Sequence, residues 1–169
     1  METDVDLKDL EIEEDLPFQR KQFLFERIGW LAMAALVIAA LAGAFGRGPV
    51  SKSSVGEREG PVWIQYERVG RLQSQTEMLI HVAADASSGD DLAVQVNSDF
   101  ARNVEMIELS PKPDHEIVAT DGITYHYRRR GKGAVQLKFV YEPSQPGSLH
   151  AEVRAASQAP LTFSQYVLP

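Results

Sequence analysis

Two different spacings of apolar residues divide this chain. Residues 28–45, IGWLAMAALVIAALAGAF, run for eighteen positions without a charge. A helix rising about 1.5 Å per residue carries such a stretch across the roughly 30 Å hydrocarbon core of a bilayer. From Pro61 onward the apolar period becomes two. Met78, Ile80 and Val82 fall on one side of an extended chain, as do Leu92, Val94 and Val96, and then Val135, Leu137, Phe139 and Tyr141. That alternation marks strands with one buried and one wet face. It predicts nine strands, over residues 62–68, 76–84, 91–97, 104–109, 116–120, 123–129, 134–141, 149–155 and 161–167, separated by SSGDD, SPKPD, TDG, RRGKG, EPSQPG and QAP. The expected fold is an all-β C-terminal antiparallel sandwich, immunoglobulin-like in plan, preceded by a single transmembrane helix.

The segments around the span complete the organisation. Residues 1–16, METDVDLKDLEIEEDL, interleave acids with isolated aliphatics; they offer too little apolar area to offset the entropy of ordering, which predicts a disordered acidic tail. That tail reads either as a docking segment for a basic partner loop or as a solvated leader. Asp15 can cap a helix and Pro17 suits a first turn, so one helix is expected over residues 17–46. Phe18, Phe25 and Trp30, mixed with Arg20, Lys21 and Arg27, fit a membrane-interface segment with rings at headgroup depth. Inside the span Ala35, Ala39 and Gly43 recur every four residues, the spacing that lets another helix approach closely; an alanine-rich span also produces this pattern without an interface. Gly46-Arg47-Gly48-Pro49 stops the helix. Residues 47–60 then read as a flexible linker, leaving 61–169 as the β-domain.

Charge refines this picture. The formal net charge is −7, but residues 1–27 hold nine acids and four bases, whereas residues 47–169 hold fifteen and thirteen. The domain is therefore close to neutral, and no basic excess exists to match a phosphate backbone, so no nucleic-acid partner is expected. Cysteine is absent, which excludes disulfides, thiolate metal sites and cysteine nucleophiles. Lys8, Arg20, Lys21 and Arg27 precede the span and Arg47, Lys52 and Arg58 follow it. The bases nearest the membrane favour a cytoplasmic N-terminus and a periplasmic domain, in the bacterial inner membrane. Ala42-Gly43-Ala44 also satisfies a small-x-small cleavage pattern, so a signal sequence stands as the alternative to an uncleaved anchor.

Candidate chemistry is sparse. His81, His115, His126 and His150 form no H-x-H or H-E-x-x-H unit, and no metal site is expected from them, although strand pairing can gather two. His81 runs out of phase with its apolar neighbours and should face solvent or an adjacent side chain. No Gly-x-Ser-x-Gly elbow or phosphate-binding glycine loop occurs, and the acids Asp90, Asp91, Asp114 and Glu116 sit in turns or at strand edges. No cofactor and no catalytic residue are expected, and the chain reads as a non-enzyme. The most distinctive polar feature is Tyr125-His126-Tyr127-Arg128-Arg129-Arg130-Gly131-Lys132. Arg128, Arg129, Arg130 and Lys132, placed at a predicted hairpin tip, offer a surface for anionic headgroups, a polyanion or an acidic protein; the bland reading is a charged hairpin end that resists aggregation.

The stretch EDLPFQRKQFLFERIGW, the span, and FGRGPVS together resemble the opening of a group of small single-span proteobacterial inner-membrane proteins with a C-terminal β-domain, companions of YetF-type membrane proteins. The resemblance covers residues 14–51 and brings no catalytic motif. It implies a membrane-protein partner of YetF type. The layout is also similar to copper-delivery assembly factors of cytochrome oxidase, whose chemistry needs the cysteines that this chain lacks. The expected role is that of an accessory protein whose span and β-sandwich contact the lipid bilayer and another membrane or envelope protein. A homo-oligomer through the helix is a further reading. The rival is a ligand-binding or sensory domain that recognises a polyanion through the basic segment.

Overall fold

The computed structural model describes residues 16–41, 51–86, 90–129, 131 and 133–169, with side chains in the first helix from Gln22 onward. Helix α1 (Leu16–Leu41) starts next to Pro17, where the missing N–H of proline costs nothing. Its portion Gln22–Leu41 is long and apolar enough to cross a membrane, as either a membrane span or an N-terminal signal sequence is. The tail expected over residues 1–16 and the helix end expected at 46 lie outside the described residues but for Leu16.

The β-domain is a separate compact unit. Its elements in order are β1 (Lys52–Val55), β2 (Val62–Glu67), β3 (Val69–Arg71), β4 (Thr76–Val82), β5 (Asp91–Asn97), α2 (Ser98–Asn103), β6 (Val104–Ser110), β7 (His115–Ala119), β8 (Gly122–Arg128), β9 (Val135–Pro143), β10 (Gly147–Ala155) and β11 (Leu161–Leu168). They form a five-stranded sheet, β1-β2-β4-β9-β6, and a six-stranded sheet, β3-β11-β10-β5-β8-β7. Inward rows from both make the core: Ile64, Met78, Ile80, Leu137, Phe139 and Tyr141 from one, and Leu92, Val94, Val96, Tyr125, Val153 and Phe163 from the other. Tyr125 meets Phe139 edge to face with ring centroids 5.4 Å apart. Phe100 of α2 meets Tyr141 in the same manner at 5.0 Å, an arrangement the aromatic quadrupole favours.

All nine expected strands are present, with ends shifted by at most two residues. Three expectations are corrected. The segment 47–60 is not wholly a linker. Ser51 is buried, its carbonyl accepts from the Arg68 N–H at 2.7 Å, and β1 pairs with β2; a polar KSSV strand carries no apolar alternation to betray it. The sandwich is not antiparallel throughout, because β3 runs parallel to β11. The RRGKG turn does not close a hairpin. Strand β8 is flanked by β5 and β7, so both of its edges are filled and the chain must cross to the other sheet to form β9.

A polar clamp joins the two sheets. Gln165 of β11 is only 1% exposed; its Oε1 accepts from the Tyr141 hydroxyl at 3.1 Å, and its Nε2 donates to the Glu67 carbonyl at 2.9 Å. Burial, with the negative charge of Glu67 adding to it, holds the Tyr141 phenol well above its ordinary pKa and outweighs the lowering effect of the Gln165 hydrogen bond. Tyr141→Phe strands a buried acceptor. The full chain in detergent should lose about 1 to 3 kcal/mol of domain stability, read as a lower urea midpoint in near-ultraviolet circular dichroism; an unchanged midpoint would show the clamp to be dispensable.

Candidate functional site

The residues singled out in the sequence are divided between helix α1 and the β-domain. Ala35 and Ala39 lie four apart on α1, while Gly43 is outside the described residues. Phe25, Arg27 and Trp30 are exposed on α1; Phe18, Arg20 and Lys21 belong to the same helix, but their side chains are outside the description.

The basic segment changes meaning in three dimensions. Arg128 ends β8 with an exposed side chain, and its N–H donates to Asp114 Oδ2 at 2.6 Å. Arg129 is buried, which removes it from the expected recognition surface. Its Nη2 donates to the carbonyls of Ala84 at 3.2 Å and Gly133 at 2.6 Å, and its N–H donates to the Asp90 carbonyl. A guanidinium carries enough donors to tie the β4–β5 loop to the crossover after β8. Arg130 and Lys132 lie outside the described residues. Arg129→Ala should therefore cost about 2 kcal/mol or more by leaving those carbonyls unpaired, whereas Arg128→Ala should stay within about 0.5 kcal/mol. Thermal unfolding of the two variants side by side tests the assignment, and equal melting temperatures would refute it.

The histidines fall into three settings. His115 and His126 are cross-strand partners whose rings stack at 4.4 Å, and His126 Nδ1 lies 3.0 Å from Asp91 Oδ2. His150 Nδ1 lies 2.8 Å from Ser164 Oγ. Among the described residues no group of three or more potential ligands can hold a metal ion. His81 turns away from the core, as its phase predicts, and stacks on Trp63 at 3.8 Å with the rings 3° from parallel; Arg58 covers that indole at 5.7 Å. Desolvation lowers the His81 pKa from 6.5. The unfolded chain thus binds the proton more readily, so this contribution to stability is complete above about pH 6.5 and is lost as pH falls below it. His81→Phe keeps the stack and removes the titration. Its urea midpoint should fall less between pH 7.5 and 5.5 than that of the unaltered chain, and an equal fall would dismiss His81 as the cause.

The open side of the sandwich is where exposure and shape coincide. Strands β6 and β7 are outermost in their respective sheets and are joined by residues 111–114. Between them lies a groove of about 650 Å³ lined by Met106, Ile107, Leu109, Glu116, Ile123 and Tyr125 among others. Burial and the charge of Glu116 push the Tyr125 phenol up to about 12, so it stays a neutral wall. Ile107 is 43%, Ile117 50% and Val118 72% exposed. The sequence reading passed over these residues. An alternating HEIVA strand looks ordinary, and the only signal in it is the lack of a lysine, proline or glycine that would protect an edge.

No protein-family model matches the chain, and no curated protein does. Among solved structures it is similar to a cohesin module from a Clostridium perfringens family 33 glycoside hydrolase, with a TM-score of 0.51 and 9% identity over 69% of this chain and 98% of that one. The domain is a β-sandwich. A likeness to the cupredoxin domain of amoB from Nitrosocaldus yellowstonii has a TM-score of 0.27 and 19% identity over 66% of this chain and 59% of that one.

Proposed function

We propose that this chain is a bitopic inner-membrane accessory protein, not an enzyme, with its N-terminus in the cytoplasm and an immunoglobulin-like domain in the periplasm. The helix and the domain bind another membrane or envelope protein. The observation that carries the reading is that the chain holds one apolar helix, Gln22–Leu41, and a sandwich whose exposed large aliphatic side chains among the described residues, Ile107, Ile117 and Val118, all lie on the outermost strands β6 and β7. Apolar surface of this kind marks interaction sites. The helix offers Ala35 and Ala39, with Gly43 next in the series, for close packing, and the resemblance of residues 14–51 points to a YetF-type partner.

Affinity purification of the full chain from membranes should recover a membrane protein in stable complex. The triple variant Ala35→Leu, Ala39→Leu and Gly43→Leu should recover less than about a tenth as much, since small-residue contacts do not tolerate bulk. Recovery of no membrane protein from either chain would sink the proposal, and equal recovery would relocate the contact from the helix to the domain.

A further inference from the structure

A β-sandwich that closes into two sheets leaves four strand edges, and soluble domains blunt such edges to avoid pairing with other chains. Three of the four here are blunted. Strand β1 has only four residues and an exposed Lys52. Strand β3 has three residues and ends on exposed Arg71. Strand β6 carries a register irregularity between Met106 and Glu108 and exposes both Glu105 and Glu108. Strand β7 is the least protected, a regular strand with no irregularity in its pairing to β8. All five residues are exposed, and its single charge is Glu116.

We propose that β7 pairs antiparallel with β7 of a second copy of this chain, joining the two six-stranded sheets into one. The inference goes beyond the accessory role above and stands without it. Register and charge select the occupant. A two-fold axis perpendicular to the sheet keeps outer faces outer, so residues opposite each other must share a face and the pairing must centre on a residue. Glu116 and Val118 share the inner face with Tyr125 and Ile123, and His115, Ile117 and Ala119 share the outer face with His126 and Thr124. Centring on Glu116 sets two carboxylates against each other. Centring on Val118 cuts the strand overlap to three residues. Centring on Ile117 overlaps all five, with Ile117 against Ile117, Glu116 against Val118 and His115 against Ala119, and no like charges oppose.

The strand is also held ready. Gly122, at the start of β8, has φ +151, and a Cβ there would sit 1.9 Å from the Val96 carbonyl oxygen. The β7–β8 turn therefore lies tight against β5, and β7 is presented as a fixed edge, which spares an ordering cost on association.

The absence of cysteine makes single-cysteine cross-linking a direct test on the full chain in detergent or lipid nanodiscs. Opposed residues of an antiparallel pair have Cα atoms about 4.5 to 5.5 Å apart, within the span of a disulfide. Under mild oxidation Ile117→Cys should form a covalent dimer at least tenfold faster than Tyr166→Cys, a residue 57% exposed on β11. Adding Val118→Glu to Ile117→Cys sets a carboxylate against Glu116 of the second copy at both ends and should suppress the dimer, while near-ultraviolet circular dichroism shows the domain folded. Equal rates at 117 and 166, or cross-linking undiminished by Val118→Glu, would overturn the proposal. So would a purified chain that stays monomeric while a photo-cross-linker at position 117 captures a different protein in cells, an outcome that gives the edge to a heterologous partner.

Discussion

The two sheets of this domain are bridged by a polar contact between apolar rows of the core. Gln165 stands where the apolar row of β11 calls for a hydrophobic residue, between Phe163 and Val167, and it is satisfied by the Tyr141 hydroxyl and the Glu67 carbonyl. A buried amide is costly unless its partners are in place. The contact therefore admits one offset between the sheets where apolar packing alone would tolerate several. It also fixes the point at which the chain leaves one sheet for the other. Glu67 ends β2, and Val69 opens β3, which lies parallel to the strand that carries Gln165. A side chain at Gly70 would press to 3.1 Å from the Gln165 amide nitrogen, so the clamp also explains why the shortest strand contains a glycine.

With the sheets set at one offset, their unequal width decides what is exposed. On the side of β7 and β6 the inner face stays open, where Glu116 lines a groove with residues of β6 and Val118 is exposed on the same face of β7. The charge of Glu116 and the apolar contact of Ile123 and Tyr125 lie side by side there. At the other edges, the short β1 begins at Lys52 and the short β3 ends at Arg71. The molecule thus has a protected flank and a receptive one. The receptive flank offers backbone pairing and apolar contact.

Arg129 shows how position in the fold redefines a side chain. Three consecutive arginines next to a glycine suggest a solvated basic tip, because unpaired charge is costly to bury and local sequence carries no partner for it. One partner is sequence-distant, the Ala84 carbonyl before β5, and the other, the Gly133 carbonyl, lies four residues on in the crossover. Together they take the middle charge inside, and Arg128 stays exposed beside it.

The sequence by itself determined the apolar helix, the existence and facing of nine strands, and the outward turn of His81, because each depends on a period of 3.6 or two read over a few residues. The tertiary structure decided the rest. Which strand pairs with which, the parallel β3–β11 contact, the recruitment of KSSV as an edge strand and the burial of Arg129 depend on residues tens of positions apart. The receptive edge belongs to this second group. HEIVA is an ordinary strand as sequence, and it becomes a candidate surface only because β8 takes one of its sides and none of the described strands takes the other.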